Sequence, residues 1–552
     1  MPDLANALRQ EQERIDARRQ REEQGRDVVS FLPALDARRL PSTEAPCFLI
    51  RRLEIRLLPD AQLRQHLQAQ DYAWLQQASA GPQGDDDPVG QCLGTQGIAQ
   101  VIRRAQESLV RRGYVTTRVL APEQDLSQGV LVLTLIPGTV NTVRFKDPQT
   151  AAVRLSNSLP LQPGAVLNLR DMEQGLENLQ RVPTAQAQIT VEPASGGSAL
   201  AGNDVVVAYR QEAPARVSLT LDDSGSKSSG KLQGSATVSL DNPLQLSDLF
   251  YLTRSHDLGG GHPGPRGTRA YTVHYSLPLH YWNVSATHSG SNYHQSVAGK
   301  SQNYIYSGTS ETSEIQLGRL VYRDSLRKMR IGLKAWHRGS KYFINGTEVR
   351  VQRRSVGGWA LALNHSAAMG QSQWEGGLVY QRGTGDFDAI AAPEEAFNEG
   401  TAKFGLVTAK LLLSVPLQGH ALRAAYRMAL QVQDNTTRLT AQDRMAIGGR
   451  YSVRGFDGES SLAGERGWTL RNDWSVFLGD SGQEAFWALD AGEVAGPSAE
   501  ALPGSVLRGA VLGVRGRYQK WQYECFVGTP LHRPSGFKTD ETSAGFSLTL
   551  SL

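Results

Sequence analysis

A chain of 552 residues is long enough for several domains, and its nearly balanced charge, a formal +4, excludes the strongly basic footprint of a nucleic-acid binder. Hydrophobic residues make up 40% and glycines number 56, which fits a β-rich chain with many turns. No stretch approaches the ~20 consecutive apolar residues of a transmembrane helix. That leaves open a membrane barrel, whose strands alternate lipid-facing apolar with lumen-facing polar residues.

The start, Met1-Pro2-Asp3-Leu4, lacks the apolar core of a signal peptide. Met1 is read as the start of a mature chain whose leader has been removed, a cytosolic chain being the alternative. Residues 1–27 are dense in Arg, Glu, Gln and Ala, good helix formers. The apolar stripe is thin: Leu4, Leu8 and Ile15. Such a helix buries little against an ordinary core. It is either frayed in water or lodged in a polar, water-filled lumen. Arg14 with Arg18, and Glu22 with Arg26, share a helix face, the first pair being like-charged. Residues 28–45, with Pro33 and Pro41, read as a linker.

Residues 46–136 read as a compact α/β unit: an opening strand over 48–57, a helix after Pro59, a helix over 98–112, and strands over 115–120 and 129–136. Ile98, Val101, Ile102, Ala105 and Leu109 share one face of the second helix, and Gly113 ends it as a C′ glycine does. Cys47 and Cys92 fall within this unit. They are a disulfide in an oxidising compartment, or else two buried thiols. Residues 137–212 repeat the theme. A strand covers 140–145, and a helix covers 169–180 with Leu169, Met172, Leu176 and Leu179 on a face. Strands over 186–192 and 205–210 follow, joined by a turn at Gly196-Gly197.

From 213 to 552 alternation replaces helical periodicity. Val217, Leu219 and Leu221 alternate with Ser218 and Thr220, and Ala236, Val238 and Leu240 with Thr237 and Ser239. Tyr271 to Leu277, Met329 to Ala335, Leu422 to Val432 and Phe546 to Leu552 behave alike. Many runs are nearer the ~9–11 residues that cross a bilayer than the ~5–6 of a soluble sandwich. At ~20 residues per strand with its loop, the region accommodates about sixteen antiparallel strands. Polar turns such as Asp241-Asn242-Pro243 belong at the periplasmic end, and Gly-rich stretches such as 259–267 at the extracellular end. Cys525, in a strand-like run, reads as packing.

The most specific segment runs Gly449-Arg450-Tyr451-Ser452-Val453-Arg454-Gly455-Phe456, continuing to Gly467-Trp468 and Leu470-Arg471-Asn472. It resembles the lumen-inserted sixth loop of the two-partner-secretion (type Vb) transporters of the Omp85 superfamily, in its haemolysin-activator and contact-dependent-inhibition branch. Val453-Arg454-Gly455-Phe456 matches that family's loop tip, and Phe486-Trp487-Ala488-Leu489-Asp490-Ala491-Gly492 its inner-strand motif. The resemblance implies an Arg454–Asp490 pair, either as packing or as the anchor that secretion needs. A planar guanidinium on a carboxylate supplies a geometrically specific anchor. Gln91-Cys92-Leu93-Gly94, Gly113-Tyr114-Val115-Thr116-Thr117-Arg118 and Gln124-Asp125-Leu126-Ser127-Gln128-Gly129 resemble that branch's first periplasmic (POTRA) domain. The resemblance implies a plug helix (1–27), a linker (28–45), POTRA domains (46–136 and 137–212) and a barrel (213–552), with its lumenal loop near 433–470.

The closing run resembles a barrel-assembly signal, although it ends in Leu552 where an aromatic is usual. The implied localisation is the outer membrane, with the POTRA domains in the periplasm. The implied partners are a large secreted exoprotein, outer-membrane lipid and, during biogenesis, the barrel-assembly machinery. Leu169, Met172, Leu176 and Leu179 of the second POTRA helix, with Gln186 and Gln188 of the next strand, are the expected partner-binding residues. An exposed strand edge takes up a partner strand through main-chain hydrogen bonds.

No nucleotide, nucleophile-elbow or zinc-protease motif is present, so the reading is a transporter without enzyme activity, cofactor or metal. The G-x-G-x-x-G at 259–264 contains Pro263, and no helix follows it. His256, His262, His288 and His294 are too loosely spaced for a metal set. The alternatives are an insertase of the same superfamily and a passive porin or adhesin.

Overall fold

The computed structural model describes residues 4–22, 38–58, 69–148, 153–194, 202–260, 264–300, 302–419 and 422–552. Gly196-Gly197, His262 and Arg26 therefore lie outside the described residues. The chain divides into two compact units: residues 1–24, 213–244 and 248–552 form one, and residues 25–212 with 245–247 the other.

In the second unit, the strand Arg52–Leu57 runs parallel to Val130–Ile136, whose other edge takes Arg118–Leu120 antiparallel. The helix Thr95–Arg111 lays Val101, Ala105 and Leu109 on Leu53, Leu131, Leu133 and Leu135, closing a core from which water is excluded. Each such Val or Leu side chain contributes ~1.5–3 kcal/mol by leaving water. Gly113 takes the left-handed conformation, φ +97°, that ends this helix. The 48–57 stretch is two strands, because Phe48–Leu49 turns away to pair with Cys92–Leu93.

Residues 38–46, read from sequence as mostly linker, are bonded into this domain. The N-cap position Gly94 has no side chain, and Glu44 caps the helix from outside it. Its carboxylate accepts the amides of Gly94 (2.7 Å), Gln96 (2.8 Å) and Gly97 (3.0 Å). The buried Arg104 donates to the carbonyls of Arg38 (2.8 Å), Ser79 (3.1 Å) and Asp86 (3.0 Å), and Leu40 N–H donates to the Asp86 carboxylate (2.7 Å). Cys47 and Cys92 are disulfide-bonded, Cα atoms 5.3 Å apart, fixing the same segment covalently.

Desolvation pushes the Glu44 carboxyl up, but the amides of Gly94, Gly97 and Gln96 outweigh it and hold its pKa below the ordinary value. A depressed pKa adds stability above the unfolded value, near ~4.3, and that stability is lost as pH falls through the folded value. Glu44→Gln is therefore expected to lower the melting temperature of this domain at pH 7. It should also flatten the decline that wild type shows below about pH 4.5. Circular dichroism melts at pH 7 and pH 3.5 check this.

The next domain orders its sheet as Thr139–Phe145, Gly202–Gln211 and Ala185–Pro193, which leaves Ala185–Pro193 as an edge strand. The helix Leu169–Leu179 starts at Asn168, whose side chain accepts the Arg170 amide at 2.8 Å.

Sixteen antiparallel strands close the barrel, the first (Ala215–Asp222) pairing with the last (Ser543–Ser551). Their alternation is structural: Thr237, Ser239 and Asp241 point inward, while Val238 and Leu240 are exposed on the outer wall. Cys525 corrects the packing expectation. Strand parity places it on the outer face, where its thiol is free and exposed. Closing the barrel removes the unpaired edges of an open sheet and satisfies every interior strand's backbone, which lipid cannot do.

Candidate functional site

Two chain segments fill the lumen, the helix Leu4–Glu22 and the loop between the strands Arg423–Asn435 and Arg466–Phe477. The loop is itself a hairpin, with Met445–Ile447 paired to Leu462–Gly464. A small apolar core steadies it: Ile447, Val453, Phe456 and Leu462 pack with Val494, Leu507 and Phe537. The Phe456 and Phe537 rings meet edge to face at 5.8 Å.

At the hairpin tip, Arg454 is only 4% exposed and Asp490 3%. Asp490, on the strand Glu484–Ala495, receives Arg454 side-on: Nε at 2.7 Å, Nη2 at 2.9 Å and the main-chain N–H at 3.0 Å. Asp473, on the neighbouring strand, accepts from the other side of the guanidinium, with Nη1 at 3.4 Å and a closer bond from Nη2. The chain of charges continues: Arg515 Nη1 reaches Asp473 (2.9 Å), Arg515 Nε reaches Glu484 (3.1 Å), and Arg427 bonds both oxygens of Glu484 (2.7 and 3.0 Å). Arg471 stands 4.0 Å from Asp490. A buried ion pair recovers its desolvation cost through the further hydrogen bonds its charges make, and this network spreads them across four adjacent strands, with Arg515 Nη2 left without a partner among the described residues.

Glycines let the tip lie against the wall. Gly455 has φ +96°, and a Cβ there would meet the Thr529 carbonyl oxygen at 2.6 Å. Beneath it, a Cβ on Gly509 would fall 1.9 Å from the Arg454 carbonyl oxygen. One on Gly528 would fall 2.9 Å from the Gly455 Cα, and one on Gly492 would fall 2.8 Å from Val453. The tip thus rests backbone to backbone on a floor of glycines from three strands.

The N-terminal helix is held by polar contacts. Arg9 donates to Ala441 O (2.7 Å) and Gln10 to Gly458 O (2.7 Å), both on the hairpin loop. Arg14, buried with Glu11, donates to Ser224 O (3.1 Å). Arg19 pairs with Glu314 (2.9 Å), which also holds Lys334 (3.0 Å). Glu22 accepts from Ser239 (3.2 Å) and faces Arg216 (3.6 Å). The apolar stripe contributes Leu8, packed with Tyr293 and Tyr342. A cavity of ≈ 540 Å³ remains between the helix, the barrel wall and the loop, lined by charged groups that include Glu13, Asp16, Arg338, Lys410 and Arg444.

The expected partner-binding set is split. Gln186 and Gln188 are exposed on the edge strand, whereas Met172 and Leu179 are buried. Leu169 and Leu176, on the same helix, are half-buried. The network carboxylates Asp473 and Glu484, with Arg427 and Arg515, were not singled out in the sequence. They had a signal, since each is a charge at an inward parity position of a barrel strand.

A closed barrel holding a plug helix and an arginine-tipped hairpin, on a chain with tandem α/β domains, defines a class of outer-membrane protein transporters. The family model for haemolysin secretion/activation proteins (ShlB/FhaC/HecB) matches residues 202–516, and POTRA domain models match 86–138 and 139–193. The chain is 34% identical to an outer-membrane transporter, CdiB-2, of Burkholderia pseudomallei over 99% of its own length and 93% of the relative's. Its structure resembles CdiB from Acinetobacter baumannii (TM-score 0.86, 27% identity, 99% of each chain) and CdiB from Escherichia coli (0.82, 25%, 100% and 99%). The chain belongs to the haemolysin secretion/activation family: it is an outer-membrane transporter of two-partner secretion, with periplasmic POTRA domains.

Proposed function

We propose that this transporter exports one large exoprotein, of the kind handled by its contact-dependent-inhibition relatives, without nucleotide hydrolysis or other enzyme activity. The observation that carries the reading is the polar fastening of the helix Leu4–Glu22 inside the barrel. Water can replace such contacts, so the helix can leave and let an unfolded chain pass. An apolar plug would hold far more tightly.

The cargo's N-terminal region would first meet the edge strand Ala185–Pro193, adding a strand beside Gln186 and Gln188 through main-chain hydrogen bonds. Folding outside the cell would give the movement its direction. The Arg454–Asp490 pair would hold the hairpin as a fixed wall of the conduit. Outer-membrane lipid surrounds the barrel, and the barrel-assembly machinery inserts it.

The test is co-expression with the exoprotein encoded beside it, with a leader supplied. Exoprotein in the medium, or protease-accessible on intact cells, supports the reading. An inserted barrel that leaves the exoprotein in the periplasm favours an insertase.

The plug has its own consequence. Glu314→Ala removes the carboxylate that Arg19 and Lys334 share in the lumen and with it one fastening of the helix. The helix should spend more time outside, and single-channel conductance events in planar bilayers should become several-fold more frequent than in wild type.

A further inference from the structure

On two neighbouring strands, the outer wall is apolar or aromatic until it nears the extracellular loop. On the strand Leu249–Gly259 the outward residues run Phe250, Leu252, Arg254 and His256; on Arg266–Leu279 they run Leu277, Tyr275, Val273, Tyr271 and Arg269. Register sets Arg254 opposite Tyr271 and His256 opposite Arg269, so two guanidiniums occupy diagonal positions on one strand pair. Like charges so placed repel, and more strongly beside a bilayer than in open water.

Neither guanidinium pairs with a carboxylate among the described residues. Arg269 Nε donates to His256 Nε2 (3.1 Å), which makes that imidazole an acceptor and fixes the guanidinium plane with both terminal nitrogens free to bind. Two carboxylates are near. Asp257 faces His256 (3.5 Å) and accepts the Thr268 amide (2.9 Å), and Glu311 sits farther round the wall, two strands on, opposite Gly290.

Beside the arginines, Tyr271 lies over Gly290, where a Cβ would meet the ring at 2.5 Å. Its hydroxyl bonds His288 Nε2 (3.0 Å), whose Nδ1 bonds Ser313 (2.9 Å). A flat aromatic face with flanking hydrogen-bonding groups results. On the membrane side of it, Leu252 and Ile315 are exposed, the latter 63%.

We infer that this patch binds the phosphorylated sugar headgroup of an outer-leaflet glycolipid. Arg254 and Arg269 clamp a phosphate between them and relieve their repulsion. Tyr271 supports a sugar ring, and the apolar wall receives the acyl chains.

The full-length protein, purified in detergent, is titrated with diphosphoryl lipid A and scored by native mass spectrometry. In Arg254→Gln/Arg269→Gln, occupancy is expected to fall about tenfold. Arg254→Lys/Arg269→Lys should retain most of it, and dephosphorylated lipid A should bind wild type as weakly as phosphorylated lipid binds the Gln variant. Heat-resistant gel mobility confirms a folded barrel, and if the double Gln variant lacks it, the single Gln variants carry the comparison. Equal occupancy in wild type and Gln variants overturns the proposal. Millimolar inorganic phosphate that displaces the lipid completely also overturns it, by marking a site for free anions.

Discussion

Arg454→Ala is expected to reduce exoprotein export at least tenfold while the barrel still inserts. The side chain is shared by Asp490 and Asp473, so its loss strands the buried Asp490 carboxylate and leaves Asp473 with Arg515 alone. Removing one partner of a buried ion pair costs ~3–5 kcal/mol, most of it for the charge left behind. Arg454→Lys should fail nearly as badly, because an ammonium cannot meet Asp490 side-on and Asp473 at once. The charge argument makes a sharper demand. Arg454→Gln should be partly rescued by Asp490→Asn, which neutralises the stranded carboxylate, and no further by adding Asp473→Asn, because Asp473 still pairs with Arg515. Export of the neighbouring exoprotein, normalised to folded barrel, measures the series. Full export from Arg454→Ala would reduce the pair to packing.

The barrel was legible in the sequence because its physics is periodic. Alternation over runs such as 236–240 and 271–277 already states which side chain meets lipid. The tip Val453-Arg454-Gly455-Phe456 and the strand carrying Asp490 were legible as a motif. What periodicity could not supply was which inward charges meet. Glu484 and Arg515 are register partners only once two strands are aligned, and Asp473 gains its role from a loop that arrives from elsewhere. The N-terminal domain shows the same boundary. The helix read over 98–112 begins at Thr95, where Glu44, fifty residues upstream, caps its first turn. Likewise the stripe Leu169, Met172, Leu176 and Leu179 announced an apolar face without saying whether its own core or a partner would claim it. Met172 and Leu179 are buried in the core, while Leu169 and Leu176 stay half-buried.

Gly509→Ala tests whether the arginine is held by its charges alone or also by the floor beneath it. One methyl group there falls 1.9 Å from the Arg454 carbonyl oxygen and 3.4 Å from the Gly455 Cα, so the tip must lift from the wall. Lifting by about an ångström breaks the geometry of the Asp490 contact, since hydrogen bonds at 2.7–2.9 Å weaken steeply with distance and angle. Export should therefore fall as far in Gly509→Ala as in Arg454→Ala, although no charge has changed. The decisive measurement is the double variant. If the glycine acts only by letting the arginine reach its carboxylates, Gly509→Ala/Arg454→Ala should be no worse than either single change. Losses that multiply would mean the glycine floor serves something other than the tip, such as the path of the exported chain. Gly528→Ala, whose Cβ would stand 2.9 Å from the Gly455 Cα, should fall between Gly509→Ala and wild type. A ranking that follows the size of each clash would tie export to how closely this loop lies on its wall.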